Sequence, residues 1–242
     1  MVDRSPQFEK ALQGLRTLVM ARDTKPGARL SEVALAAQLG TSRTPIRQAM
    51  ERLVDEGLLI RNKTGGCRIA RLAREDVIDA IELRGVLEGT AARLAAERGA
   101  DPNALADATD AICAIETALN AKGDVDFEAY VSGNAEFHLS LARMSRSAVI
   151  TRELDRANRL PFASPSAFLN GQKMMPDFRA SLHRAQHQHL SIIDAIKSRE
   201  GARAEALARE HARLARANLD FLTRVEPDLA KGVPGLALVA AV

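Results

Sequence analysis

A chain of 242 residues that is 46% hydrophobic and 27% charged can bury a sizeable core, which excludes a disordered polymer. No apolar run approaches the roughly 20 residues that span a bilayer, and no cationic segment followed by an apolar stretch marks a secretory signal. A cytoplasmic protein with no membrane partner is therefore expected. Only 15 Gly and 9 Pro stand among many Ala, Leu, Arg and Glu, a balance that favours helices over sheets. Cys67 and Cys113 are far apart without metal-ligand spacing and read as two unpaired thiols. The net charge of +3 is unevenly spread: residues 1–73 hold 13 Lys and Arg against 7 Asp and Glu, and the remainder holds 21 against 24. A basic first third on an acidic remainder points to a nucleic-acid module joined to a second part.

In chain order, residues 1–7 read as a disordered start. Leu12, Leu15 and Val19 then mark an amphipathic helix over residues 8–21. The turn DTKPG follows, because Pro26-Gly27 cannot continue a helix. Ser31 and Glu32 open a second helix, which Gly40 ends. Ser42 can cap a third helix, and Pro45 suits its first turn, where a missing N–H does no harm. Ile46, Met50, Leu53 and Val54 give that helix a buried stripe, and it stops near Gly57. Arg43 and Arg47 lie four apart on its other face, near its N-terminus, the end a recognition helix presents to base edges and phosphates. For an isolated helix they could equally be two solvated arginines. Residues 58–61 and 67–70 read as short strands around Thr64-Gly65-Gly66. The three helices and the hairpin make a winged helix-turn-helix over residues 8–72.

The segment PGARLSEVALAAQLGTSRTPIRQAMERLVDEGLL resembles the DNA-binding domain of the GntR family of bacterial transcription regulators. The proline-glycine turn, the LSE, the SRTPIR and the LVDEGLL carry the resemblance. It implies that DNA contacts come from Ser42, Arg43, Thr44, Arg47 and the wing glycine, Gly66. Arg29 also fits the pattern, though it reads equally as a solvated arginine. Gly65 departs from it, since relatives often carry a polar or basic residue there.

Beyond the link RLARED the pattern is wholly helical. Helices are expected over residues 76–97, 102–119, 124–144, 148–160, 178–198 and 202–224, with Gly123 and Gly201 as breaks. Residues 161–176 read as loop. The tail, residues 226–242, is expected to be loosely held. The informative feature is an error in the binary pattern. Asn134 and His138 stand on a stripe with Phe127, Val131 and Leu141. His189 stands on one with Leu182, Ala185, Ile193 and Ile196. His211 and Asn218 stand on one with Leu207, Leu214 and Phe221. Three helices each turn a histidine inward. Either these are hydrogen-bonded core residues or they share a divalent metal. His183 and His187 lie off the stripe and read as surface or pocket-rim residues. Arg84 and Glu88 read either as an intrahelical ion pair or, for Arg84, as a guanidinium aimed at a carboxylate.

Here LRGVLEGTAARLAA, NAEFH, HLSIIDAI and the histidine of ALAREHARL resemble the FCD ligand-binding domain of the FadR subfamily, over residues 74–225. The resemblance implies a metal held by Asn134, His138, His189 and His211, with Asn134 in place of the commoner Asp. Zinc or nickel would be the occupant. It also favours a small carboxylate effector, for which Arg84 and Asn218 are the candidate anchors. The expected fold is mostly α, a winged helix-turn-helix followed by an all-helical antiparallel bundle. The expected function is a homodimeric repressor of a catabolic or transport operon, released from a palindromic double-stranded DNA operator by the effector. The alternative, a metal-dependent hydrolase using the histidines, lacks an HExxH, paired carboxylates or a nucleophile arrangement.

Overall fold

A computed structural model describes residues 5–21, 23–63, 65–122, 124–169, 173, 177–225 and 233–239. Gly123, Thr64 and most of the tail, on which expectations were placed above, lie outside the described residues. The chain divides into two compact units, residues 1–77 with 226–242 and residues 78–225.

The first unit contains α1 (Pro6–Val19), β1 (Arg29–Leu30), α2 (Glu32–Leu39), α3 (Arg43–Asp55), β2 (Leu59–Arg61) and β3 (Cys67–Ile69). Leu12, Leu15 and Val19 of α1 are buried, as are Ile46, Ala49, Met50 and Leu53 of α3. Glu56, itself buried, ties the two helices by accepting from Arg16 at 2.6 Å and Arg52 at 2.8 Å. At the α2–α3 turn Gly40 adopts φ 59°, a left-handed cap, while Thr41 N donates to Ala36 O. Ser42 occupies the N-cap of α3, but its side chain makes no capping bond. Pro45, the third helical residue, has no N–H to offer it, which removes one of the two usual donors and leaves only Thr44 N–H.

The sheet has the order β1-β3-β2, antiparallel throughout. Strand β1 was not expected from the sequence, because two residues are too short for an alternating pattern. It places Arg29 opposite Arg68. The tail also differs from expectation. Val233, Leu236 and Leu238 are buried, and Leu72 N donates to Leu238 O at 2.8 Å. Burial of these three apolar side chains offsets the cost of ordering the segment.

Most of α4 (Arg74–Arg98) belongs to the second unit, with α5 (Pro102–Leu119), α6 (Phe127–Met144), α7 (Ala148–Ala157), α8 (Phe178–Lys197) and α9 (Gly201–Asp220), which a π-helical turn, Phe221–Val225, continues. Between α7 and α8 the described residues form turns. Gly201 is not the break between α8 and α9 but the first residue of α9. The chain turns just before it, at Arg199, with φ 63°. Gly201 lies close to α4, where a Cβ would come within 3.0 Å of the Glu97 Cγ and that side chain would have to shift. The core joins alanines of α4, α5 and α9 to Phe137, Leu141 and Met144 of α6 and Ile192, Ile193 and Ile196 of α8. Small residues let the helix axes approach, which carries side chains of α6, α8 and α9 to one point.

Gly133 sets one of those approaches. A Cβ at this position would meet Ile115 Cγ1 at 2.8 Å and Ala111 O at 3.3 Å on α5. Alanine gains about 1 kcal/mol of helix propensity over glycine, but overpacking costs about 1–3 kcal/mol. Gly133→Ala should therefore lower the stability of the metal-free protein, by about 1 kcal/mol in urea unfolding followed by circular dichroism. An unchanged or raised midpoint would show that α5 gives way freely.

Candidate metal centre and nucleic-acid interface

In the first unit Ser42, Arg43, Thr44 and Arg47 are all exposed on the N-terminal half of α3. Arg29 and Gly66 are also exposed, on the sheet edge strand and at the wing turn. The two helix arginines are not free. Arg47 Nε and Nη2 donate to Glu32 at 3.2 and 3.0 Å, and Arg43 Nη2 lies 3.5 Å from the same carboxylate. Arg47's bonds hold Glu32 below the usual carboxylate range. A paired fork of this kind fixes the guanidinium plane on a solvent-facing surface. Sequence reading placed Glu32 only at the start of α2 and missed this role.

In the second unit, Asn134, His138, His189, His211 and Asn218 are all buried, as the interrupted stripes require. One ring nitrogen from each histidine lies within 4.8 Å of the others. His189 Nε2 is 3.0 Å from His211 Nε2, which is 3.4 Å from His138 Nε2. The other nitrogens have oxygen partners: His138 Nδ1 faces Glu88 Oε1 at 2.8 Å, His189 Nδ1 faces Gln186 Oε1 at 3.3 Å, and His211 Nδ1 faces Gln188 Oε1 at 3.0 Å. Gln186 is held in that sense because its Nε2 donates to Ile112 O at 2.9 Å. An oxygen at each Nδ1 selects the Nδ1–H tautomer, so three Nε2 lone pairs converge with no proton between them. Neutral imidazoles in that arrangement repel one another and suit a shared cation.

Asn134 Nδ2 is buried without a hydrogen-bond partner. Turning the amide over would put its oxygen there, a ligand instead of an orphaned donor. The donor set therefore fits a divalent metal of the zinc or nickel kind. A cavity of about 40 Å³ adjoins it, lined by Arg84, Tyr130, Asn134, His138, His211 and Asn218 among others. Arg84 is buried, donates to Ala212 O at 3.3 Å and lies 3.9 Å from Glu88 Oε2. Arg84 is thus beside Glu88 and also lines the cavity. Gln186, Gln188 and the pairing of His138 with Glu88 were missed, although both glutamines stand within three residues before His189 in the sequence. His187 is exposed and His183 half-buried.

Residues 8–69 match the bacterial regulatory proteins of the gntR family, and residues 79–214 match the FCD domain. The chain belongs to the GntR family, with an FCD domain. A 30% identical relative over 185 residues, 76% of each chain, is the probable D-xylose utilization operon transcriptional repressor of Paenarthrobacter nicotinovorans. The Nta operon transcriptional regulator of Aminobacter aminovorans is 30% identical over 76% of this chain and 81% of its own. The Glc operon transcriptional activator of Escherichia coli K12 is 26% identical over 90% of each. The E. coli McbR/YncC structure shares the fold, with a TM-score of 0.63 at 22% identity over 89% of this chain and 97% of its own. This GntR protein is a transcription regulator and not an enzyme, which sets the hydrolase alternative aside. No helix among the described residues is long and apolar enough to cross a membrane.

The buried cluster makes stability depend on pH. Burial, reinforced by its histidine neighbours, pushes His189 well below the usual range. Burial and His138 bring His211 down to about 3. Burial raises Glu88, but His138 and Arg84 outweigh it and bring its carboxyl down to about 2. Unfolded histidines take up protons near pH 6.5, and the folded ones do not, so stability falls as pH drops through that value toward 3. Glu88 adds its own loss only below its ordinary value of 4.5. The chelator-treated protein should melt lower at pH 5 than at pH 7, with a slope near about 1.4 kcal/mol per pH unit for each such group. His211→Gln should flatten that slope; an equal slope would mean that His211 is protonated in the fold.

Proposed function

We propose that this GntR regulator is a repressor of a catabolic or transport operon, released from a palindromic operator by a small organic acid bound beside a metal. The observation that carries the reading is the convergence of three imidazole Nε2 atoms next to a cavity lined by a buried arginine. Asn134, His138, His189 and His211 would hold one divalent ion, zinc or nickel. When bound, that ion supplies a Lewis-acidic positive charge at the cavity. Arg84 would grip an effector carboxylate, and Asn218 would orient it. A cavity of about 40 Å³ has room for a few waters at about 10–15 Å³ each, so the group entering it is a carboxylate end rather than a large ring. Effector binding shifts the population of protein states to the extent that it favours one of them.

On DNA, Arg43 and Arg47 would read bases from the start of α3, with Ser42 and Thr44 beside them and Arg29 and Gly66 on the backbone. A single recognition helix per chain reads too few bases for useful specificity, so the regulator would act as a homodimer on half-sites about 10 base pairs apart. Leu83 and Val86 of α4 are exposed apolar residues that would suit such a contact. The site-by-site assignments draw support from the exposure of all six DNA-contact candidates and the burial of the metal and effector candidates.

Two measurements test the reading. Arg47→Ala should weaken operator binding by about 1–3 kcal/mol and random-sequence DNA far less; equal losses on both would leave Arg47 a phosphate contact. Elemental analysis should find one equivalent of zinc or nickel per native chain, lost in His189→Ala and His211→Ala. Metal binds the folded state, so chelation should lower the melting temperature of the native protein. A native protein that cannot be loaded, and that melts identically with chelator, would reduce the histidines to pocket lining.

A further inference from the structure

The four candidate ligands share one property: all are neutral. Asn134 offers an amide and the histidines offer imidazoles, so a dication among them would meet no negative charge in direct contact. Glu88 is the buried carboxylate among the described residues of the second unit, at 2% exposure. It does not line the cavity. Its Oε1 accepts from His138 Nδ1 at 2.8 Å, while its Oε2 has no hydrogen bond and lies 3.9 Å from Arg84 Nε. His189 and His211 lean on neutral glutamine oxygens in the same manner. Of the three imidazoles, His138 alone is backed by an anion.

A carboxylate behind an imidazole fixes the tautomer and raises the basicity of the opposite nitrogen. We propose that Glu88 is a positioning residue that supplies, through His138, the negative charge Asn134 does not bring to the metal. This rests on the metal reading given above. Burying a carboxylate is costly unless it is paired, and here the pairing is spent on one side on His138 and on the other on Arg84. The same residue thus stands between the metal ligand and the candidate effector anchor.

The test uses the full chain, stripped of metal and titrated with zinc against a chelating dye. Native protein, Glu88→Gln, Asn134→Asp and the double variant are compared, with circular dichroism to check the fold. Glu88→Gln keeps the size and an acceptor oxygen but removes the charge, and should weaken zinc binding by about 10–100-fold. Asn134→Asp placed in that background should restore affinity to within a few-fold of native, because it returns one negative charge to the site. A Glu88→Gln affinity equal to native, with native zinc binding intact, overturns the proposal and leaves the metal reading standing. A loss that Asn134→Asp does not restore overturns the charge role. No zinc binding by native protein overturns the metal reading itself. Should Glu88→Gln fail to fold, nitrogen-15 shifts of the metal-free native protein decide: His138 should show Nδ1–H and a bare Nε2, and the opposite tautomer overturns the proposal.

Discussion

Three neutral imidazoles turned toward one another inside a helical core form the constraint around which the second unit is built. Each lone pair at Nε2 faces another lone pair, at 3.0 and 3.4 Å. The outer nitrogens face oxygens of Glu88, Gln186 and Gln188, which favour the Nδ1–H tautomer and so keep the lone pairs turned inward. Alanine-lined contacts between α4, α5 and α9 bring the backbones close enough for this, in the same apolar core as Phe137 and the isoleucines of α8. Phe137 lies 4.1 Å from the His189 ring, centroid to centroid. The core therefore stores polar groups whose mutual repulsion a cation would remove, so a bound metal would add to the free energy of folding.

The first unit solves a different problem, holding long flexible cations in a defined pose at the surface. Exposed arginines carry large rotamer entropy, roughly 2 kcal/mol each. Glu32 lowers that freedom for Arg43 and Arg47 before any partner arrives. Its position, one residue after the cap of α2, means that the turn between α2 and α3 fixes the pairing geometry. Gly40 and Pro45 shape that turn, and the exposed Ser42 at the N-cap of α3 makes no capping bond.

Much of this was legible in the sequence, and the reasons for the rest are specific. The winged helix-turn-helix stood out because Gly40, Pro45 and the stripe of α3 are local signals. The inward histidines stood out because polar residues broke an apolar period on three helices. What the sequence did not reveal depends on distance in the chain. The Glu88 bond to His138 spans 50 residues, and the Gln188 bond to His211 spans 23. Neither has a spacing that any local rule recognises. Strand β1 was invisible because its pairing partner, β3, lies almost 40 residues on, and two residues carry no period of their own. The tail read as loose because its few apolar residues show no helical or strand pattern; only the partner surface near Leu72 reveals what they bury against.

The lining of the cavity argues for recognition over chemistry. Hydrolysis at a metal needs a base placed to take a proton from the nucleophile. Among the described lining residues there is no carboxylate; the polar groups are Arg84, Tyr130, Asn134, His138, His211 and Asn218. Burial raises the Tyr130 phenol further above its ordinary range, so it stays a neutral donor. His138 and His211 point Nε2 at the cluster and Nδ1 at Glu88 and Gln188. Glu88, the nearest acid, is occupied behind His138. Among the described residues the lining offers a desolvated guanidinium, amides and a phenol and no anion of its own, a balance that suits an anionic guest. That lining is what the proposed role as a carboxylate sensor would require.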